Sequence, residues 1–201
     1  MNRRRMMMLL SNENIPKGYK RLKFLESDGS QYIDTKYNPV ANTRWELDAQ
    51  FTKIIDRGQF NGRYFGTGGI YSRFDIAISS QGNFQLNINT AYNITTADTN
   101  RHLFFVDSKN LKVGYDNISQ SATERLNSAN RTISLFARHE ETSFNYMCNM
   151  RLFSCSFYED DELVCKLLPC LDDKGVPCLY DVVRKITLYN ATKTDFLYER
   201  L

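Results

Sequence analysis

A chain of 201 residues with 13% aromatic residues is long enough to form one β-sandwich with a sizeable core. The net charge of +3 is close to balance, and no basic face is visible beyond Arg3, Arg4 and Arg5, which excludes a dedicated nucleic-acid binder. Only 4 prolines and 10 glycines exclude a fibrous or disordered chain. No apolar stretch approaches the length of a membrane-spanning helix, so we expect no membrane insertion.

Residues 1–18 differ in composition from the rest of the chain. A basic patch is followed by a short apolar run, and a polar linker then leads to Pro16 and Gly18. The apolar run is too short for a signal peptide. We therefore expect 1–18 to be an attachment segment and 19–201 to be the domain. The residues expected to dock on a partner, through guanidinium–carboxylate pairs and an apolar groove, are Arg3, Arg4, Arg5, Met6, Met7, Met8, Leu9 and Leu10.

Short segments of alternating apolar and polar residues follow at regular spacing. The clearest is 45–51, where every second residue from Trp45 to Phe51 is apolar. The segments that predict strands are 32–35, 45–51, 84–88, 103–106, 111–115 and 133–138. Helical periodicity is weak throughout, and 121–130 is too polar to be more than a loop or a single turn.

The stretch 150–190 contains the strongest supersecondary signal. Two extended segments flank the acidic turn 159–162, which is costly to bury and so lies at a sheet rim. In the first segment, strict alternation places Phe153 and Cys155 on one face and Leu152 on the other. The elements together predict an all-β fold, a two-sheet antiparallel jelly-roll sandwich. Its core is expected to include Trp45, Leu47, Phe51, Leu135 and Leu179.

The five cysteines all lie after residue 147, in segments that predict strands or their turns. Their number is odd, and none shows the C-x-x-C spacing of a zinc site. We expect them to be free thiols that pack as small apolar side chains. Reduced thiols indicate a protein that is made in a bacterial cytoplasm.

Two blocks of the sequence carry a family resemblance. The first is FLESDGSQYIDT at 24–35. The second is RLFSCSFY at 151–158, followed by LPC at 168–170, GVP at 175–177, LYD at 179–181 and YN at 189–190. In this order the blocks resemble the laminin-G-like, concanavalin A-like jelly-roll domains of gut bacteria and their tailed phages. The chain departs from the family pattern at Cys178, where a glycine is usual, and at 193–196. The region 60–130 matches the family only in the spacing of its alternating segments.

The resemblance implies a function as well as a fold. The opening RRRMM at 3–7 also resembles the start of phage structural proteins that carry such a domain. The expectation is a non-enzymatic virion structural protein, a capsid decoration or fibre component at the virion surface. Residues 1–18 would bind other virion proteins, and a homo-oligomer is left open.

Related domains often bind glycans, and the loops and one sheet face offer suitable side chains. Amides hydrogen-bond sugar hydroxyls, and an aromatic ring stacks on the apolar face of a sugar. The candidate glycan-binding residues are Tyr64, Gln85, Asn87, Asn89 and Tyr92. The alternative is that these aromatic residues are ordinary core and rim residues.

Other chemistry is less well supported by the sequence. Glu46 and Asp48 have the spacing of a glycosidase carboxylate pair, but they alternate with apolar residues and are expected to be a solvated face. No cofactor is expected, although calcium is considered at Asp34, Asp75 and Asp116. The two histidines, His102 and His139, are expected to be structural or solvated. A free carbohydrate-binding adhesion module, or a glycosidase on the same fold, remain alternatives to the virion protein.

Overall fold

A computed structural model describes residues 15–54, 62–68, 73–127, 131–140, 143–145 and 147–201, with the backbone only at 62–65 and 68. The strands in chain order are β1 (Lys20–Asp28), β2 (Ile33–Asp34), β3 (Thr43–Phe51), β4 (Gly62–Gly68), β5 (Arg73–Ile78), β6 (Asn83–Ile88), β7 (Thr90–Thr96), β8 (Arg101–Asp107), β9 (Lys112–Tyr115), β10 (Ile118–Ser121), β11 (Ser134–Leu135), β12 (Arg138–His139), β13 (Phe144–Asn145), β14 (Asn149–Glu159), β15 (Glu162–Leu171), β16 (Pro177–Asp181), β17 (Ile186–Tyr189) and β18 (Leu197–Arg200). The described residues contain no helix long and apolar enough to cross a membrane.

The strands form two sheets, as the sequence predicted. The larger sheet has the order β10-β9-β8-β3-β14-β1-β15-β16-β17, and β18 pairs with β1. The smaller sheet has the order β13-β12-β4-β5-β6-β7, and β11 pairs with both β2 and β4. Neighbouring strands are antiparallel, except that β12 runs parallel to β4 among the described pairings.

The core lies between the inner faces of the two sheets. The predicted core residues are confirmed, because each is at most 1% exposed: Trp45, Leu47, Phe51, Leu135 and Leu179. Aromatic rings make contacts from one sheet to the other. The rings of Trp45 and Phe74 meet edge to face with centroids 6.2 Å apart, and those of Phe84 and Phe104 lie 5.0 Å apart.

A β-bulge in β14 makes the predicted alternation of 151–158 wrong. The pairing of β14 with β3 shifts register between Leu152 and Ser154, so Phe153 is an extra residue with no partner in that ladder. The extra residue puts Leu152 and Cys155 on the same, core-facing side. Phe153 lies on the outer face instead, where the guanidinium of Arg101 covers its ring at 3.7 Å.

The predicted strand 133–138 is divided in two. Phe136 adopts a left-handed backbone conformation, with φ of 65°, between β11 and β12. This kink breaks the alternation, and Ser134 to Arg138 are all buried. The prediction of a single continuous strand at 133–138 is therefore wrong.

The predicted hairpin around the acidic turn is confirmed. β14 and β15 pair as far as Glu159 and Glu162, and the two turn residues, Asp160 and Asp161, have φ of 49° and 72°. Positive φ at both positions is the geometry of a type I′ turn, whose twist matches that of the strands. Lys109 binds the carboxylate of Asp161 at 2.7 Å.

The chain enters the domain over the outer face of the larger sheet. Ile15 and Tyr19 pack on a small apolar cluster that is separate from the main core. The cluster consists of Leu168, Cys170, Cys178 and Tyr180. The hydroxyl of Tyr19 is 2.9 Å from that of Thr187 in β17. The predicted docking residues Arg3 to Leu10 lie outside the described residues.

All five cysteines are buried and unbridged in the structure. Cys155 and Cys165 belong to the main core, and Cys170 and Cys178 face each other across β15 and β16. Burial raises the pKa of the Cys178 thiol to about 12 and that of Cys155 well above its usual value. The thiols are therefore neutral and act as apolar packing groups.

Candidate functional site

The outer face of the smaller sheet carries a continuous set of polar side chains, which we call the polar row. Its members are Asp75, Gln85, Asn87, Asn93, Arg138, Glu140 and Asn145. Phe74 and Ile76 of β5, and Leu86 of β6, face the core. Because successive residues of a strand point to opposite faces, Asp75 and Asn87 point outward.

Strand register places the polar row in line across the sheet. Asp75 pairs with Asn87, and on the other side of β5 Asp75 pairs with Gly66, which is opposite Arg138 of β12. Gly66 has φ of 117°, and a Cβ there would lie 2.7 Å from the Cβ of Asp75. Glycine is required at this position, since any side chain would collide with Asp75.

A buried ion pair lies at the centre of the polar row. Nη1 of Arg138 is 3.5 Å from Oδ2 of Asp75, and these side chains are 3% and 0% exposed. The other end of the Arg138 guanidinium contacts Glu140, whose side chain is partly exposed. An arginine that joins two carboxylates fixes both of them in orientation.

Hydrogen bonds extend from the ion pair in both directions. Asn87 donates from Nδ2 to Oδ1 of Asp75. At the edge of the sheet, Asn145 donates from Nδ2 to Oε2 of Glu140 at 3.0 Å. A separate bond joins Nε2 of Gln85 to Oδ1 of Asn93 at 3.0 Å. Asn93 and Asn145 are exposed, so they are the members of the row that an approaching ligand meets first.

One amide of the polar row has an unused acceptor. Oδ1 of Asn87 is buried and accepts no hydrogen bond from the described part of the chain, although the side chain is only 1% exposed. A buried acceptor without a donor costs about 1–3 kcal/mol. Among the described members of the row, Asn87 thus has an amide oxygen whose hydrogen bonding is incomplete.

The predicted glycan-binding residues divide between the two faces of the smaller sheet. Gln85 and Asn87 lie on the outer face and are mostly buried. Tyr92 pairs with Leu86 and packs against the main core, and its hydroxyl accepts a bond from the backbone NH of Thr123 at 2.8 Å. The ring of Tyr92 is therefore not on the face that carries Gln85 and Asn87.

The other two predicted residues also lie away from the row. Asn89 has φ of 55° at the turn between β6 and β7, and its Nδ2 donates to the backbone oxygen of Arg125 at 2.7 Å. Asn89 and Tyr92 both hold the loop 122–127. The side chain of Tyr64 lies outside the described residues.

The three carboxylates considered for calcium do not meet. Asp34 binds Nζ of Lys36 at 2.6 Å, and Asp75 is in the polar row. Asp116 accepts bonds from His102 and from the backbone NH of Leu103. Within the described residues, no group of three or more potential metal ligands is present.

The carboxylate pair considered for a glycosidase lies on the larger sheet. Asp48 makes a bidentate pair with Arg101, at 2.7 and 2.6 Å, and Glu46 pairs with Arg44. These residues are on the outer, partly exposed face of β3, while Trp45 and Leu47 face the core. The expected solvated face is confirmed.

His102 has two close carboxylate neighbours and is structural, which is one of the two roles expected from the sequence. Its Nδ1 is 2.7 Å from Asp116 and its Nε2 is 2.9 Å from Asp98. Burial lowers the pKa of His102, but the hydrogen bonds to Asp116 and Asp98 outweigh burial, so the pKa lies above its usual value. A charged imidazolium thus ties the turn after β9 to the loop before β8.

Sequence reasoning missed Arg138, Glu140 and Asn145. The available signal was an arginine directly after a run of buried residues, since a charge in that position needs a partner. The identity of that partner, Asp75, depends on β12 lying beside β4, which local patterns do not reveal.

Comparison with known proteins supports the fold. No protein-family profile and no curated protein sequence matches the chain. Among solved structures, the chain is similar to a proposed carbohydrate binding protein from Bacteroides ovatus ATCC 8483, with a TM-score of 0.60 and 9% sequence identity. The similarity covers 90% of this chain and 60% of the Bacteroides protein, so the chain spans about three fifths of that protein's length. At this identity the likeness establishes the all-β sandwich fold alone.

Proposed function

We propose that the protein is a laminin-G-like module that binds neutral carbohydrate through the polar row and does not turn it over. The observation that carries the proposal is the set of amides on one sheet face, of which Asn93 and Asn145 are exposed to an approaching ligand. Amides both donate and accept hydrogen bonds, as sugar hydroxyls do. The carbohydrate-binding description of the Bacteroides structure is in line with the proposal.

The charge of this face favours neutral sugars over acidic ones. Among the described side chains of this face, Asp75 and Glu140 are matched by Arg138 and by Arg73, which alternation places on the same face of β5. The guanidinium of Arg138 is already held by two carboxylates, so it is not available to a sugar carboxylate or sulfate. Neutral hydroxyl groups of a sugar can bind without a cationic partner.

The arrangement of carboxylates supports binding without hydrolysis. A glycosidase needs one protonated carboxylic acid and a second carboxylate beside the glycosidic bond. Asp75, Glu140 and Asp48 each contact an arginine, so each of these carboxylates is already engaged by a cation within the protein.

A second proposal concerns where the module is displayed. Ile15 and Tyr19 lie on the outer face of the larger sheet, and the polar row lies on the other sheet. An attachment segment at that position would leave the polar row free. We therefore propose that 1–14 anchor the module on a virion, where many copies raise weak single-site affinity through avidity.

The binding proposal is tested with the full chain coupled at equal density to beads, which supplies the multivalency. The probes are mucin and three neutral polysaccharides, a glucan, a mannan and a galactan. We expect retention of at least one probe. The double variant N93A/N145A should bind about tenfold more weakly, since two exposed amide hydrogen bonds are lost.

The matched control is Asn117→Ala, which removes an exposed amide at the turn between β9 and β10 of the larger sheet. It should bind like the parent chain. Equal binding by N93A/N145A and the parent would contradict the polar row as the site. Absence of binding to every probe would contradict carbohydrate binding.

A further inference from the structure

Three half-exposed aromatic rings form a stack at the β13 edge of the smaller sheet. Phe144 lies between the other two rings, with its centroid 4.4 Å from that of Tyr32 and 4.2 Å from that of His139. The interplanar angles are 19° and 20°, so the three rings are nearly parallel. They come from three separate segments, namely β12, β13 and the residue before β2. We call these three residues the ring stack.

The ring stack is separate from the hydrophobic core. None of its members belongs to either apolar cluster of the described residues, nor to the partly buried residues that pack on them. The backbone of Tyr32 is held by the loop that follows β17, because its NH donates to Asn190 and its carbonyl accepts from Ala191. The stack is thus a fixed aromatic surface rather than core packing.

The ring stack has polar groups at both ends. Nδ1 of His139 is 3.0 Å from Oγ1 and 3.1 Å from the backbone oxygen of Thr132, so this nitrogen is engaged within the protein. Nε2 of His139 and the hydroxyl of Tyr32 make no hydrogen bond within the described part of the chain. An apolar ring between two free polar groups matches a sugar, which has an apolar C–H face bordered by hydroxyls.

We propose that the ring stack is a second binding site, a stacking platform for one neutral sugar ring. The outer ring face of Tyr32 or of His139 would receive the sugar, because both faces of Phe144 are already covered. The proposal rests on carbohydrate binding as the function of the module. It adds a site on the opposite side of the β12–β13 hairpin, since Phe144 and Asn145 are consecutive and so point to opposite faces.

The test observes the imidazole protons of His139 by NMR while methyl glycosides of glucose, mannose and galactose are added to the full chain. The chain has only two histidines, so a His102→Gln variant assigns the signals. We expect the His139 signal to move with one of these glycosides. Tyr32→Leu should weaken that binding about three- to tenfold, and Tyr32→Phe, which keeps the ring, should weaken it less.

Tyr198→Leu, which removes a half-exposed tyrosine from β18 of the larger sheet, is the control and should have no effect. If a glycoside binds and N93A/N145A weakens it while the His139 signal does not move, the ring stack is not a site and the polar row stands. If Tyr32→Leu weakens binding and N93A/N145A does not, the ring stack stands alone. If no probe binds, neither in this titration nor in the bead assay, both proposed sites are wrong.

Discussion

Arg138 and Asp75 form an ion pair across Gly66, and neither side chain reaches solvent in the structure. The pair connects β12 to β5 across β4, because Gly66 of β4 lies between them and has no side chain. The same arginine orients Glu140, which in turn holds Asn145 at the edge of the sheet. The exposed end of the polar row is therefore positioned by a charge pair inside the protein.

The first prediction concerns the stability of this pair. Arg138→Met removes a cation from beside the buried carboxylate of Asp75, and we expect it to lower the free energy of unfolding by about 3–5 kcal/mol. Urea denaturation followed by far-UV circular dichroism measures the change. The double variant R138M/D75N should recover part of the loss, because the buried carboxylate that faced Arg138 is then neutral as well.

The exposed pair Lys23–Glu199 provides the comparison. Both of its side chains are about half exposed. Lys23→Ala should change the free energy of unfolding by less than about 1 kcal/mol. An effect of Arg138→Met as small as that of Lys23→Ala would show that the buried pair contributes no more to the free energy of unfolding than the exposed pair does.

The second prediction is a pH dependence centred on His102. Because its folded pKa is raised, its contribution to stability is complete below the usual histidine pKa of about 6.5 and is lost as pH rises through the folded value. Burial raises the pKa of Asp98, but the hydrogen bonds from His102 and from Asn100 together outweigh burial and lower it, so the Asp98 contribution is lost as pH falls below about 4.

The stability difference between the parent chain and His102→Gln should therefore be largest near about pH 5 and should shrink toward alkaline pH. Urea midpoints at several pH values from acid to alkaline measure it. A difference that grows with rising pH would have the wrong sign and would contradict a charged His102.

The third prediction concerns thiol reactivity. All five cysteines are buried, and burial raises the pKa of those at 148, 155, 165 and 178. Since the thiolate is the reactive form, the native protein should react slowly with a thiol-specific dye. Denatured, unreduced protein should react at all five positions. A count of one or three would reveal a disulfide.

The fourth prediction tests display on a particle. Removal of 1–14 leaves Ile15 and Tyr19 in place on the larger sheet, so the truncated domain should keep its unfolding midpoint. The truncated chain should be missing from particles purified from a host that makes it in place of the full chain, as measured by mass spectrometry. Normal incorporation would exclude an anchoring role for this segment.

Much of the fold was predictable because its signals are local. The alternation at 45–51 and 84–88 corresponds to β3 and β6, and the acidic turn at 159–162 marks the β14–β15 hairpin. The bulge at Phe153 was not predictable, because it depends on the ladder with β3 rather than on the residues of β14. The kink at Phe136 was not predictable either. It requires a positive φ, and the segment 133–138 contains no glycine that would indicate one.

The site was predictable only in part. Alternation correctly groups Gln85 and Asn87, since both belong to one strand. Tyr92 follows after a turn, and its pairing with Leu86 sends it to the core side, which requires the register of β6 with β7. The ring stack joins the β12–β13 hairpin to Tyr32, which is distant in sequence, so no local pattern indicates that Tyr32 meets Phe144.

The most direct test of carbohydrate binding through the polar row is a titration of the ¹⁵N-labelled full chain with the bound neutral glycan, followed through side-chain amide signals. The account predicts that the signals of Asn93 and Asn145 move together and saturate, while Asn117 on the larger sheet stays fixed. Movement confined to Asn117 and other residues of the larger sheet, or no movement at saturating glycan, would contradict it.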